Sequence, residues 1–157
     1  MPWLLKTEPE KYSIADLAAE GDQVTFWNGV RNYQARNFLR DAMKLGDHVL
    51  LYHSNADPPA IVGTAKVVRE GYPDHTAWDP NSDYYDPQSS RENPRWFMVD
   101  IQLVEIFTHP ASLNQLRDLP ELAQMELLRK GSRLSVQPVR DEEYATILRK
   151  FSQKRKK

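Results

Sequence analysis

Two strand-like runs limit what this chain can become. Residues 60–70 read as one long strand and residues 96–107 as another, the second with Phe97, Val99, Ile101 and Leu103 alternating against Asp100 and Gln102. A two-residue period marks a strand with one buried face. Between the runs, residues 71–94 carry Pro73, Pro80, Pro87 and Pro94 among Trp78, Tyr84 and Tyr85. That stretch is too long for a simple connector and too aromatic for a disordered linker. The two runs are therefore expected to pair antiparallel across a long ordered loop, and such loops are usually functional. Gly63 inside the first run suggests a bulge or a close backbone approach.

The remaining elements are shorter. Trp3-Leu4-Leu5 is a strand stopped by Thr7-Glu8-Pro9, because proline pushes the residue before it out of helical geometry. Ser13 followed by Asp16 forms a capping-box pattern for a helix that Gly21 should end. Ala35, Phe38, Leu39, Ala42 and Met43 have the spacing of a buried helix face. His48 to Ser54 is a strand with Val49, Leu51 and His53 on one side and Leu50, Tyr52 and Ser54 on the other, so both faces should be covered. His109-Pro110 is expected to break the long strand, and Ser112 with Gln115 to cap a helix after it. Leu119-Pro120-Glu121 opens a helix through Leu128, with Gly131 as its stop. Pro138 places residues 133–139 at a sheet edge. Residues 141–151 form the last helix, burying Tyr144, Ile147, Leu148 and Phe151. Strands without regular crossover helices make an α+β domain.

Composition removes several functions. The 157 residues include no cysteine, which excludes disulfides, thiolate metal sites and cysteine nucleophiles. His48, His53, His75 and His109 have no metal-ligand spacing, so no metal is expected. Phosphate-cradling glycine loops and the serine-hydrolase elbow are missing, and no cofactor is expected. No stretch reaches the length of a membrane span and no signal peptide is read, so the expected location is intracellular, either bacterial cytoplasm or a eukaryotic nucleus. The net charge is −1, but residues 149–157 hold six cations and no acid, and taking those six away leaves −7 for residues 1–148. A domain that grips nucleic acid mainly through phosphates should be basic, so any such contact here must be local.

One stretch concentrates polar and aromatic groups beyond what a helix needs: Trp27-Asn28-Gly29-Val30-Arg31-Asn32-Tyr33-Gln34-Ala35-Arg36-Asn37. Either Asn28 or Asn32 is a plain N-cap beside packing aromatics, or the segment is a ligand wall at a helix start that suits an anion or a polar edge. Trp27, Tyr33, Tyr52, Trp78, Tyr84 and Tyr85 all lie in segments also rich in Asn, Ser and Asp. Flat aromatic walls with a few fixed polar groups match a nucleobase, and an aromatic-rich core matches the same composition. Asp79, Asp83 and Asp86 fit turn caps better than catalytic acids.

Five motifs in order, Trp3-Leu-Leu-Lys-Thr-Glu-Pro9, Trp27 to Asn37, Tyr52-His-Ser-Asn55, Asn93-Pro-Arg-Trp96 and Arg133 to Val139, resemble the EVE domain family over nearly the whole chain. The resemblance implies a PUA-like fold, a twisted, barrel-like, mostly antiparallel sheet with flanking helices. It makes residues 1–151 a single domain and residues 152–157 a basic, frayed tail. It implies a non-catalytic, monomeric reader of a modified base, particularly modified cytosine in DNA rather than RNA. Trp27, Asn28, Val30, Asn32 and Tyr33 would line the pocket from the central motif. Tyr52, His53, Ser54 and Asn55 would come from the strand end, Trp78 and Asp79 from the loop, and Ser132, Arg133 and Leu134 from the late segment. Lys6 is a weaker candidate. Arg31, Arg36 and Arg40 would meet flanking phosphates. The alternative is a small-ligand protein or enzyme with His53 as general base and Asp79 orienting it.

Overall fold

The computed structural model describes residues 1–153. Six strands form one mixed sheet in the order β2-β5-β4-β3-β1-β6. They are β1 (Trp3–Thr7), β2 (Val24–Phe26), β3 (His48–His53), β4 (Ala60–Pro73), β5 (Phe97–Ser112) and β6 (Val136–Pro138). Among the described residues four α-helices flank it: α1 (Ile14–Ala18), α2 (Tyr33–Asn37), α3 (Leu113–Arg117) and α4 (Asp141–Phe151). The ladder ends on β2 and β6, so the sheet is open. β4 and β5 pair antiparallel from Pro73↔Phe97 to Ala60↔Ser112, as the two long runs required. Among the described residues only β1 and β3 run parallel.

Alternation along the strands builds a core on each face. Trp3, Leu5, Val49 and Leu51 join Trp27, Ala35, Leu39 and Met43 under α1 and α2. Leu4, Leu50 and Tyr52 join Leu116, Leu122, Met125 and Ile147 on the other face under α3 and α4. At Gly63 the β4–β5 register shifts. A Cβ there would collide with the Glu105 carbonyl and the Ile14 side chain. Both the bulge and the close approach therefore occupy one residue.

Several local expectations change. α2 passes at Phe38 into a π-turn, Phe38–Ala42. The wider turn leaves Ala42 exposed while Leu39 and Met43 stay buried. α1 ends at Ala18 with Ala19 as its C-cap, and Gly21 starts a separate 3₁₀ turn. β5 runs through His109-Pro110, because its pairing with β4 jumps from Ile106 to Ala111 and asks no ladder hydrogen bond of Pro110. Residues 119–128 are two 3₁₀ turns. Leu119, Leu122, Met125 and Leu128 recur every third residue, and Leu122 N, Met125 N and Leu128 N each donate three residues back. That is the 3₁₀ period, not the α period. β2 was not anticipated, since three residues are too few to show alternation.

The domain also reaches past residue 151. Ser152 is buried, its hydroxyl donating to Glu105 Oε1 at 2.5 Å, and Gln153 N donates to Glu105 Oε2 at 2.9 Å. These two residues are held rather than frayed. The rest of the expected tail, residues 154–157, lies outside the described residues. No helix among the described residues is long and apolar enough to cross a membrane.

Gly63→Ala is expected to lower stability by about 1–3 kcal/mol, the range for forced overpacking. Thermal or urea unfolding checks it, and a wild-type midpoint would contradict the close approach.

Candidate functional site

A cavity of about 740 Å³ opens beside the first core, where β1, the end of β2 and the segment leading into α2 meet. Trp27 and Val30 are 8% and 6% exposed and form its apolar floor. Trp27 N donates to Val99 O at 2.8 Å, so the indole is set by the sheet. Tyr12 stands edge-on to it, with ring centroids 6.1 Å apart and planes at 86°. The Tyr12 hydroxyl donates to Glu20 Oε2 at 3.0 Å. Burial, reinforced by Glu20, pushes that phenol up to about 12, so it remains a donor at neutral pH.

The wall opposite is built by the long loop. Asp74 is fully buried, and its carboxylate accepts from Gly29 N at 2.9 Å, Arg31 Nη1 at 3.1 Å, and Thr76 N and Oγ1 at 2.9 and 2.5 Å. Arg31 Nη2 donates to Tyr84 O at 2.5 Å, and the guanidinium lies 5.5 Å from the Tyr84 ring. Tyr84 then lies on Gly29, where an added Cβ would come within 2.6 Å of the ring. Gly29 also has φ +81°, a conformation other residues adopt at a cost. Asn28 Nδ2 donates to Thr76 Oγ1 at 3.2 Å. Asn32 is the N-cap of α2, its Oδ1 accepting from Ala35 N at 2.9 Å. That bond, and the one from Arg36 N to Asn32 O, occupy donors the helix start was expected to offer an anion.

Of the expected pocket residues, Trp27, Asn28, Val30, Asn32, Ser54 and Arg133 line this cavity together, with Lys6 among them. The others lie elsewhere. Tyr52 is buried in the second core on the opposite sheet face, a consequence of strand alternation. Tyr33 is 53% exposed and stacks on Trp96 at 4.9 Å. Asn55 does not line the cavity but donates to Glu8 Oε1 at 3.0 Å. This bond and Lys11 hold the Glu8 carboxyl below its usual range, and Glu8 does line the cavity. Trp78 packs against Arg91, and Asp79 accepts from Asn81 N at 2.9 Å, capping a turn. Ser132 donates to Glu126 at 2.6 Å, and Leu134 packs against the first core.

The three arginines expected at phosphates are occupied as well. Arg31 serves Asp74 and Tyr84. Arg36 donates to Arg95 O and Asn37 Oδ1, and Arg40 makes two bonds to Asp41 at 2.9 and 2.8 Å. His53 Nε2 accepts from Ile14 N at 3.1 Å. No carboxylate is placed beside it among the described residues, which removes the His53–Asp79 general-base arrangement. Among the described residues no group of three or more His, Cys, Asp or Glu could hold a metal ion. Tyr12 and Phe26 line the cavity without having been anticipated, and Tyr84, expected only as one of several candidate aromatics, lines it too. Tyr84 carried a signal, an aromatic in a proline-rich loop, and Phe26 sits on the unrecognised β2.

The comparisons with known proteins agree on one family. The EVE domain model matches residues 2–150. Thymocyte nuclear protein 1 of Gallus gallus is 47% identical over 163 residues, covering 93% of this chain and 66% of that protein. The chain thus spans about two thirds of the chicken protein's length. A crystal structure of a Pseudomonas syringae protein superposes with a TM-score of 0.90 at 46% identity, covering 95% of this chain and 98% of the other. The human THYN1 protein in complex with 5-methylcytosine-containing DNA superposes with a TM-score of 0.88 at 44% identity, covering 94% and 95%.

Two outcomes follow from this geometry. Asp74→Ala leaves the Arg31 charge and the Gly29 and Thr76 donors unmatched, and should cost about 3 kcal/mol in urea unfolding. Burial lowers the His53 pKa from 6.5. A depressed basic pKa contributes stability above the unfolded value and loses it as pH falls towards the folded value. Wild-type unfolding midpoints should therefore drop as pH falls below about 6.5, and the drop should be shallower in His53→Gln.

Proposed function

The chain belongs to the EVE domain family, and on that premise we propose that it is a non-catalytic reader of modified cytosine in DNA. The observation that carries the reading is the aromatic-walled cavity, present on the fold that human THYN1 shows in complex with 5-methylcytosine-containing DNA. Its volume falls within the roughly 300–1,000 Å³ of ordinary ligand pockets. A base flipped out of the duplex would stack between Trp27 and the Tyr84 wall, with its 5-methyl group towards Val30 and the indole.

The polar groups left over by the fold match the cytosine edge. Asn28 uses one of its two amide N–H bonds on Thr76, and its oxygen stays open as an acceptor for the exocyclic N4 amine. Asn32 has spent its oxygen on Ala35 N, which leaves its amide N–H as a donor to N3 or O2. Thymine would turn a carbonyl towards the Asn28 oxygen where cytosine offers the amine, so that contact disfavours it. Ser54 also lines the cavity, held beside β1 by its N–H donating to Thr7 O at 2.9 Å. On this reading the protein acts wherever it meets DNA, in a bacterial cytoplasm or a nucleus, and binding rather than turnover is its activity.

Titration of labelled duplexes carrying cytosine, 5-methylcytosine or 5-hydroxymethylcytosine, read by fluorescence anisotropy, tests the proposal. The wild type should prefer a modified base. Trp27→Ala should weaken binding by about tenfold or more, the magnitude of one lost base stack. Equal affinity for all three duplexes, unchanged by Trp27→Ala, would sink the reading.

A further inference from the structure

Four cations line the cavity, Lys6, Lys11, Arg31 and Arg133, and two of them are already matched. Lys11 lies 3.5 Å from Glu8. Arg31 is committed to Asp74 and the Tyr84 carbonyl. Lys6 and Arg133 have no carboxylate at ion-pair distance among the described residues. They share one side of the cavity, because Lys6 N donates to Ser135 O at 2.9 Å and brings β1 beside the segment that carries Arg133. We infer that Lys6 and Arg133 hold the phosphodiester backbone flanking the pocketed base, a role the arginines around α2 do not fill. This rests on the DNA-reading proposal above.

The surroundings suit an anion. The acid that faces Lys6 is Glu126, and its carboxylate is occupied by the Ser132 hydroxyl at 2.6 Å and by Arg129 at 3.4 Å. The Lys6 ammonium stands 5.9 Å from the ring centroid of Tyr52, its cross-strand neighbour on the second face, so it meets the cavity at the end of β1, where the cavity reaches the rim of the sheet. Burial lowers its pKa, the sign of a partly desolvated ammonium, and such a group gains most from an incoming counter-charge. Ser54 and Ser135 add hydroxyls to the same cavity. Arg36 and Arg40, by contrast, are bonded to neighbours and do not line the cavity. With residues 1–148 at a formal −7, phosphates are repelled over most of the surface, and two unmatched cations at the cavity decide where the strand lies.

The test is the salt dependence of DNA binding. Anisotropy of a duplex with one 5-methylcytosine, titrated over a sodium chloride series, gives the slope of log affinity against log salt. Lys6→Gln and Arg133→Gln should each reduce that slope by about 0.9, and the double variant by about 1.8. Lys6→Arg keeps the charge and should keep the slope. Arg40→Gln should leave it unchanged, because Asp41 already matches that charge. A double variant with the wild-type slope overturns the inference, as does a loss of slope confined to Arg36→Gln or Arg40→Gln. If Lys6→Gln fails to fold, the exposed Arg133→Gln decides alone. Calorimetric titration of the wild type with 5-methyl-2′-deoxycytidine separates the two proposals. Nucleoside binding without a slope change keeps the base pocket and removes the phosphate site. A slope change without nucleoside binding does the reverse.

Discussion

Asp74 has no exposed surface, and a carboxylate in that position persists only if its lone pairs are met. Four donors meet them, two from Gly29 and Arg31 before α2 and two from Thr76 in the loop. The bond set joins parts of the chain more than 40 residues apart. It orients the Arg31 fork, which then fixes the Tyr84 carbonyl and brings the ring onto Gly29. The far wall of the cavity is thus a consequence of one desolvated ion pair. Arg rather than Lys is required there, because one planar group must reach a carboxylate and a carbonyl together.

The sheet does the rest by having two buried faces. Strand alternation sends Trp3, Leu5 and Leu51 to the face that carries Trp27, and Leu4, Leu50 and Tyr52 to the face under α4. Only the first face has α2 and the β4–β5 loop beside it, so the cavity forms there. The second face is closed over by α3, the 3₁₀ turns and α4. Glu105 anchors the end of α4 through Ser152 and Gln153. Both faces therefore carry a buried core, and the first also borders the cavity.

The sequence showed much of this architecture. Strand periods are strong signals, so the β4–β5 pairing, the doubly covered β3 and the edge position of β6 were all legible. Capping boxes at Ser13 and Ser112 were legible too, since they depend on side chains three residues apart. What failed was subtler. An inserted π-turn cannot be distinguished from an α-helix when Leu39 and Met43 stay four apart, and only the exposure of Ala42 reveals it. In the site, types of residue were readable but their commitments were not. Asn32 looked like a ligand group or a cap, and it is a cap with one half left over. Arg31, Arg36 and Arg40 have the residue type of phosphate ligands, but Arg31 reaches Asp74 and Tyr84 and Arg36 reaches Arg95, partners far away in sequence, while Arg40 pairs with its neighbour Asp41.

A ligand can use only the polar groups that the fold has not used. That rule orders this cavity better than residue type does. Asn28 and Asn32 carry the same side chain, yet Asn28 keeps its oxygen open with one N–H engaged, while Asn32 has its oxygen engaged and keeps both N–H bonds. The amide orientations follow from the bonding network, because Ala35 N can only donate and the Thr76 hydroxyl donates to Asp74 while accepting from Asn28. A single flip would break a protein bond at either position. The fold therefore sets the donor–acceptor pattern presented to a base before any base arrives. The same rule selects the cations: those needed to neutralise Asp74, Glu8 or Asp41 are unavailable to a phosphate, and Lys6 and Arg133 remain. An acidic domain can in this way present a small, preorganised positive site without a basic surface, and its grip on DNA would then depend on an extruded base more than on charge.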